Sequence, residues 1–143
     1  MKLIKLLVFT LLIQLSTNAF AQTNNQPKQH KVVIQLNTAD TAAWGGVIGN
    51  VKNLSKIWPG NISIEVVVHG KALNFLVASK SHLITDIEDL LKQGIVFNAC
   101  ENTMKKYGIT KQMLIPAVVS VPSGVAELIL KQEEGWSYLK AGL

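Results

Sequence analysis

One cysteine and one histidine stand at the ends of predicted strands, where side chains are free to do chemistry. Cys100 follows the apolar run Ile95–Ala99 and precedes a short helical pattern that stops near Gly108. A thiol between a strand end and a helix start feels the helix's partial positive charge and unpaired N–H groups, which favour the thiolate. The thiolate attacks sulfur and other electrophiles. Cys100 is therefore the candidate catalytic nucleophile, with Asn102 and Thr103 as candidate ligand-binding donors behind it.

The candidate partner of this thiol is His69, which ends the second predicted strand. Gly70 follows it and allows a tight turn or a close approach of the backbone to a ligand. If the fold brings His69 to Cys100, the pair can act as a nucleophile with a proton partner. The residues alone leave two alternatives open, a buried inert cysteine and a loop histidine bonded to backbone.

Metal and nucleotide chemistry find little support in the sequence. No Cys-x-x-Cys or His-Glu-x-x-His motif occurs, so no metal ligand and no cofactor is predicted. The glycines at 45, 46 and 49 lie within a helical pattern and match no phosphate-binding loop. They indicate instead a place where another helix packs closely. Lys105 and Lys106 are expected to add positive charge near the thiol.

The first 21 residues have the pattern of a secretory signal peptide. Two lysines precede an apolar stretch that ends in Ala19-Phe20-Ala21. We expect cleavage after Ala21, a periplasmic location, a flexible leader over residues 22–30 and no stable membrane insertion after cleavage. The rival interpretation is an uncleaved membrane anchor.

The charge of the chain argues against nucleic acid as a partner. Loss of the two signal lysines lowers the net charge from 14 − 9 = +5 to 12 − 9 = +3, and the sequence contains no arginine. The lysines are scattered rather than clustered. The single cysteine cannot form a disulfide within the chain, so in an oxidising compartment it is buried, paired with another chain, or kept for its reactivity.

Apolar strands alternate with amphipathic helices from residue 31 onward. The predicted strands are Val32–Leu36, Ile62–Val68, Ile95–Ala99 and Ala117–Val121. The pattern predicts one domain over residues 31–143, a three-layer α/β/α sandwich with a mostly parallel sheet of four to five strands. Right-handed crossovers place every strand's carboxyl end on one edge of such a sheet. The candidate site on that edge consists of Asn37, His69, Gly70, Cys100 and Ser120 to Pro122.

The helix boundaries follow from capping signals and apolar spacing. Apolar residues from Trp44 to Trp58 predict a first helix that Pro59-Gly60 ends, and Leu73, Leu76 and Val77 predict a second helical stretch. Thr85 to Glu88 has the form of a capping box for a helix that Gly94 ends. Thr110 is expected to start one helical turn. Ser123 is expected to cap a last helix whose inward residues are Val125, Leu128, Ile129, Trp136 and Leu139.

Several segments taken together resemble the DsrE/DsrF-like family, in its single-domain exported branch. They are Val66–Gly70, Gly94–Met104, Leu114–Pro116, Val121–Leu128 and Gln132–Trp136. The resemblance covers Lys31 to Lys140. It implies a three-layer α/β/α fold, assembly into trimers or hexamers, and a cysteine at the position of Cys100 that carries sulfur as a persulfide and passes it to partner proteins. The predicted export differs from the cytoplasmic location of the well-understood sulfur carriers of this family. The resemblance therefore does not identify the sulfur donor or acceptor.

The leading hypothesis is a periplasmic sulfur-relay or thiol-reactive protein that carries sulfane sulfur on Cys100. The alternative is a non-enzymatic, homo-oligomeric module that binds a small ligand at the strand-end crevice, with Cys100 structural. A third possibility is redox sensing through a disulfide between chains.

Overall fold

The computed structural model describes residues 28–142, in which five strands and several helices alternate along the chain. The strands are β1 His30–Leu36, β2 Ile62–Val68, β3 Val96–Cys100, β4 Val119–Val121 and β5 Ser137–Ala141. The α-helices are α1 Thr41–Ile57, α2 Ile84–Lys92, α3 Glu101–Tyr107 and α4 Gly124–Glu133, and the segments Gly70–Leu76 and Lys111–Met113 are 3-10 helices. The predicted signal peptide and residues 22–27 of the leader lie outside the described residues.

The strands form one parallel sheet in the order β4-β3-β2-β1-β5. The predicted α/β/α sandwich is confirmed, with the sheet at the five-stranded end of the predicted range. The successive crossovers from β1 to β4 build the sheet in one direction, and the chain then returns to place β5 on the other side of β1. All the carboxyl ends meet at one edge because every pairing is parallel.

The sheet has two unlike faces, because successive side chains on a strand point in opposite directions. The core face carries Val32, Ile34, Leu36, Val66, Val68, Phe97 and Ala99, and it packs with α1, α2 and the segment Gly70–Leu76 in one large apolar cluster. The thiol face carries Val33, Gln35, Glu65, Val67, His69, Asn98 and Cys100, and α4 lies against it. The candidate site therefore lies on the more polar side of the sheet.

Local sequence signals explain most helix ends. The Asp40 side chain accepts a hydrogen bond from the N–H of Ala42 at the start of α1. Ser123 caps α4 as predicted, accepting from the N–H of Ala126. Gly108 ends α3 in the left-handed conformation with φ 64°, which glycine adopts without a steric penalty.

The predicted capping box at Thr85 is wrong. Helix α2 begins at Ile84, so Thr85 lies inside it, and the cap residue Leu83 makes no side-chain capping bond. The Ser81 hydroxyl instead accepts from the N–H of Leu83 at 3.3 Å. Asp86 lies in the first turn, as it would in the predicted helix, and it pairs with Lys52 of α1.

Other elements also differ from the sequence prediction, in type or in where they begin. The helical stretch around Leu73 is a 3-10 helix rather than an α-helix. Strand β4 begins at Val119 rather than Ala117, because Ala117 has φ 67°, which is left-handed and incompatible with an extended strand. The edge strand is therefore only three residues long.

The prediction for the last helix is wrong beyond Glu133. Helix α4 ends there, and Ser137–Ala141 forms β5 along β1, where the free strand edge offers backbone hydrogen-bond partners. Of the predicted inward residues, Leu128 is buried and Trp136 half-buried. The other three are exposed: Val125, Ile129 and Leu139.

The small residues of α1 do not bring a second helix close. A Cβ built at Gly45, Gly46 or Gly49 meets nothing within 4 Å among the described residues. The two histidines outside the site each stack on a tryptophan ring. His30 begins β1 and stacks on Trp58, whereas the exposed His82 stacks on Trp44.

Candidate functional site

Cys100 lies where two helices begin. It is the last residue of β3 and the N-cap of α3, with extended backbone angles, and the first residue of α4, Gly124, lies against it. The residue is 5% exposed. Both helices direct their unpaired N–H groups and the positive ends of their dipoles toward the sulfur. This arrangement extends the sequence prediction, which placed only α3 at the thiol.

Gly124 brings α4 into direct contact with the strand ends. A Cβ added there would lie 3.2 Å from the Cβ of His69, 3.2 Å from Cγ1 of Val67 and 3.3 Å from the Cβ of Cys100. Such distances are too short for an ordinary contact between atoms fixed near the backbone. Glycine at this position lets the helix approach the strand ends without displacing these neighbours, and its N–H reaches the thiol.

Hydrogen-bond donors converge on the sulfur of Cys100. Burial alone raises the pKa of the thiol, but the hydroxyl of Thr103 and the N–H groups of Gly124, Thr103 and Asn102 outweigh it, so the pKa of Cys100 lies below its ordinary value. The buried Thr103 oxygen also accepts from the N–H of Gly70 at 3.0 Å, which leaves its proton free for the sulfur. These donors stabilise a thiolate without a neighbouring cation.

His69 lies beside Cys100 but its ring bonds elsewhere. The last paired residues of β2 and β3 are Val68 and Ala99, so His69 and Cys100 are the next neighbours across the sheet. The Nε2 atom of His69 lies 2.7 Å from Nε2 of Gln35, whose Oε1 accepts from the hydroxyl of Tyr138. The amide therefore donates to His69 Nε2, and the neutral ring carries its proton on Nδ1.

This arrangement determines what His69 can do. Burial lowers the pKa of His69 and favours the neutral ring. While Nε2 accepts from Gln35, the ring has only the Nδ1–H to offer, so it serves as a hydrogen-bond donor rather than a base. The role of His69 as proton partner of Cys100 stays a prediction.

The other predicted residues lie around the same edge. The N–H of Asn102 is 3.4 Å from the carbonyl oxygen of Pro122, which ties α3 to the end of β4. Asn37 is half-buried, and its carbonyl oxygen is 3.7 Å from the position of a Cβ on Gly70. Ser120 donates to Glu101 Oε1 at 2.6 Å and, with Lys111, keeps the pKa of Glu101 below its usual value. The side chain of Ser120 thus serves α3 rather than the sulfur.

The two lysines of α3 lie at the end of the helix that is farther from the thiol. Lys105 and Lys106 are exposed in the last turn of the helix, where positive charge complements the negative end of the dipole. The donors that lower the pKa of Cys100 lie on the opposite end of α3 and on α4.

An open cavity of about 370 Å³ adjoins the site on the side of Gly70. Its lining includes Lys71, Asn74, Lys80 and Tyr107, but not Cys100. Tyr107 lies one helical turn after Thr103. The cavity and the thiol are therefore neighbours that share the segment around Gly70 and Thr103.

Within residues 28–142, no group of three or more His, Cys, Asp and Glu side chains is placed to hold a metal ion. None of the helices over the same range is both long and apolar enough to cross a membrane.

Sequence reasoning missed three residues of the site: Gly124, Gln35 and Tyr138. Signals for two of them were present. Gln35 is a polar residue within an apolar strand, and Gly124 follows a correctly predicted cap. The sequence gives no signal for Tyr138 as a site residue, because its pattern predicts a helix where the structure has β5.

Comparison with known proteins places the chain in a family. The model of the DsrE/DsrF-like family matches residues 15–141. The chain belongs to the DsrE/DsrF-like family, as the resemblance indicated. No curated protein matches the chain.

Solved structures from other organisms share the fold. A protein of unknown function from Methanobacterium thermoautotrophicum, MTH1491, is 32% identical, with a TM-score of 0.75 over 78% of this chain and 99% of that one. BT1422 from Bacteroides thetaiotaomicron, also described as of unknown function, is 19% identical, with a TM-score of 0.63 over 77% and 93%. The ychN protein of E. coli is 14% identical, with a TM-score of 0.65 over 78% and 98%. The last two show similarity of fold alone.

Proposed function

We propose that this protein is a sulfur-relay carrier that holds sulfane sulfur as a persulfide on Cys100. Family membership supports a role of the sulfur-relay kind. The observation that carries the finer proposal is the set of donors around the sulfur, from Thr103, Asn102 and Gly124, which lowers the pKa of Cys100. A thiolate held by donors is a nucleophile toward sulfur, and a lower pKa makes it available at lower pH.

The proposed step exchanges one sulfur–sulfur bond for another. The Cys100 thiolate attacks the outer sulfur of a donor persulfide, a bond forms from Sγ to that sulfur, and the donor's own sulfur–sulfur bond breaks. The donor leaves as a thiolate with the bonding electron pair, and the proton of the outer sulfur stays on it. In discharge, the thiolate of an acceptor protein attacks the outer sulfur and frees the Cys100 thiolate, so no external oxidant or reductant is needed.

The N–H groups at the start of α3 and α4 suit both charged states in this cycle. They stabilise the thiolate before transfer and, once the transferred outer sulfur has lost its proton to solvent, the persulfide anion after it. In this proposal His69 donates its Nδ1–H to the sulfur or to the incoming donor, since Nε2 is held by Gln35.

Intact mass spectrometry tests the transfer. The native protein and Cys100→Ser are incubated with inorganic polysulfide, freed of reagent and weighed, with far-UV circular dichroism as a check that both fold. We expect the native mass to rise by whole sulfur atoms, to return on reduction, and to stay unchanged in Cys100→Ser, which lacks any thiol. Equal uptake by both proteins, or no uptake by either, contradicts the proposal.

A second function is favoured by the cavity beside the thiol. Lys71 and Lys80 line it, and neither forms an ion pair within residues 28–142, so a small anion fits its charge. In that case the protein is a binding module and Cys100 is structural. This alternative predicts that Lys71→Ala abolishes anion binding and that Cys100 reacts with iodoacetamide only after unfolding.

We also propose that the working form is a homo-oligomer, a trimer or hexamer as the family resemblance implies. Val125 and Ile129 are 55% and 52% exposed on α4, and Val119 is 49% exposed on the edge strand β4. An apolar surface of this kind suits a second copy of the chain. Light scattering is expected to give a multiple of the monomer mass that Ile129→Lys reduces, whereas a native monomer contradicts the proposal.

Export to the periplasm completes the proposal and rests on the signal pattern of residues 1–21. In a bacterium with a periplasm, the periplasmic fraction is expected to contain a protein whose mass corresponds to a chain that starts at Gln22. A protein that keeps its first residues and stays in the membrane fraction supports the anchor instead.

A further inference from the structure

A buried ionic network joins α4 to the sheet below the thiol. Lys131 Nζ lies 3.6 Å from Glu65 Oε2, and Asn98 Nδ2 donates to the other oxygen, Glu65 Oε1, at 2.6 Å. The Glu65 side chain is 6% exposed and that of Lys131 is 18% exposed. Removing two charges from water costs free energy that their attraction does not always recover, so such a pair is weak support for stability alone. A role in fixing geometry accounts better for its presence.

Other charged groups of α4 surround the same lysine. Glu127 and Glu134 lie 3.6 Å and 3.4 Å from Lys131 Nζ, and the ring of Trp136 lies 4.9 Å from it. Burial raises the pKa of Glu65, while Asn98 and Lys131 oppose that rise. The network thus links the Glu65 carboxyl of the sheet, through Lys131, to Glu127 of α4 and to Glu134 just after it.

Few apolar contacts hold α4 in place. The buried apolar cluster on this face consists of Val33, Val67 and Leu128, with Trp136 partly buried against it. Gly124, Leu128 and Lys131 stand at positions i, i+4 and i+7 of α4, so they share the face turned to the sheet. The helix is therefore attached by a close contact at its start, one leucine in its middle and the ion pair near its end.

We propose that Glu65 and Lys131 are positioning residues for Cys100: their buried pair sets the rotation and tilt of α4 that aim the Gly124 N–H at the sulfur. Without the pair, Leu128 alone does not fix the rotation of the helix about its axis. The assignment of sulfur chemistry to Cys100 rests on the proposed function, whereas the effect of the pair on the thiol can be measured without it.

A direct effect of charge on the thiol is separable from positioning. Lys131 follows Gly124 by seven residues, or about 10 Å along the helix, so a direct effect of its charge on the sulfur is weaker than that of a contacting donor. If the charges acted directly on the thiol, removing the Lys131 charge would raise the pKa of Cys100 and removing the Glu65 carboxylate would lower it. Positioning predicts that both losses raise it, because either one releases α4.

The experiment measures the pH dependence of iodoacetamide labelling at Cys100 in full-length protein. Glu65→Gln, Lys131→Met and Lys131→Gln are each expected to raise the pH midpoint of labelling, by roughly half to one pH unit, which slows labelling at neutral pH by up to about tenfold. Lys131→Arg keeps the charge and the pairing, so it is expected to restore most of the native midpoint. The Glu65→Gln/Lys131→Met double variant is expected to shift no further than either single variant.

Two controls distinguish an effect on the thiol from general destabilisation of the protein. Asp86→Asn removes the ion pair with Lys52 that joins α1 and α2 on the core face, and it is expected to leave the midpoint unchanged. Urea unfolding identifies which variants are folded during labelling, and Lys131→Gln keeps a long polar side chain in case Lys131→Met does not fold. Opposite shifts for the Glu65 and Lys131 variants, or a native midpoint in folded Lys131→Gln, overturn the proposal.

Sulfur uptake by the same variants separates the two proposals. If the variants have altered labelling midpoints but the native protein takes up no sulfur, the sulfur-relay proposal is refuted and the positioning proposal stands. Native midpoints in variants of a protein that does take up sulfur refute the positioning alone.

Discussion

The two faces of the sheet differ in the contacts that hold the helices against them. The core face belongs to a cluster of 24 buried apolar residues, which includes the fully buried rings of Phe75 and Phe97. The thiol face has a cluster of three, and its remaining buried side chains include Glu65 and Asn98. At about 25 cal/mol per Å² of buried apolar surface, most of the hydrophobic stabilisation lies on the core face.

This contrast between the two faces shows where the fold can accommodate polar and reactive side chains. A large apolar layer fixes the strands, and so the thiol face can carry groups that burial disfavours. Donors from two helix starts, a neutral histidine and an ion pair meet on that face within a few residues of the strand ends. The two faces should therefore respond differently to substitution, one in stability and the other in the acidity of the thiol.

The largest expected effect on stability is on the core face. Phe75→Ala removes a fully buried ring and is expected to lower the free energy of unfolding by about 3–5 kcal/mol, measured by urea denaturation. In the folded variant the pH midpoint of Cys100 labelling should match the native protein. A clear shift of that midpoint would mean that the faces are not independent.

The next largest effect comes from Gly124→Ala. The added methyl group meets His69, Val67 and Cys100 at 3.2–3.3 Å, so it is expected to cost about 1–3 kcal/mol and to raise the labelling midpoint by displacing the α4 N–H. Gly45→Ala is the matched control, since its position in α1 is open, and it is expected to stabilise the protein by about 0.5–1 kcal/mol. A native midpoint in Gly124→Ala would exclude α4 as a donor to the thiol.

Thr103→Val tests the hydroxyl at nearly constant volume. It removes the acceptor of the Gly70 N–H and a donor to the sulfur, so we expect a loss of about 1–3 kcal/mol and a higher labelling midpoint. Thr103→Ser keeps the hydroxyl and should restore the midpoint. If Thr103→Val destabilises the protein but labels like the native chain, the hydroxyl supports Gly70 alone.

The smallest effect concerns the pH dependence of stability. Burial lowers the pKa of His69, so the unfolded chain binds its proton at higher pH than the folded chain, near its ordinary pKa of about 6.5. The stability that neutral His69 contributes is present above that pH and is lost as the pH falls through the folded pKa. His69→Gln is expected to make the acid side of the stability profile shallower, and an unchanged slope contradicts the neutral ring.

Sequence patterns predicted the central strand β2 better than the last strand, β5. Strand β2 was predicted with its observed bounds because a β-branched run between two turn signals has few alternatives. Strand β5 was not, since Ser137–Ala141 is mostly exposed and its strand form depends on pairing with β1, which lies over 100 residues earlier. Cys100 and His69 were placed at one edge by topology, whereas the bond of His69 to Gln35 depends on side-chain geometry.

Whether the fold holds Cys100 as a thiolate can be measured as the pH dependence of its labelling in the native protein, compared with the same chain unfolded in urea. We expect rapid labelling of the folded protein with a midpoint below that of the unfolded chain, because the donors of α3, α4 and Thr103 stabilise the thiolate. A folded protein whose cysteine reacts only after unfolding, or with a midpoint at or above that of the unfolded chain, would contradict it and make Cys100 a packing residue.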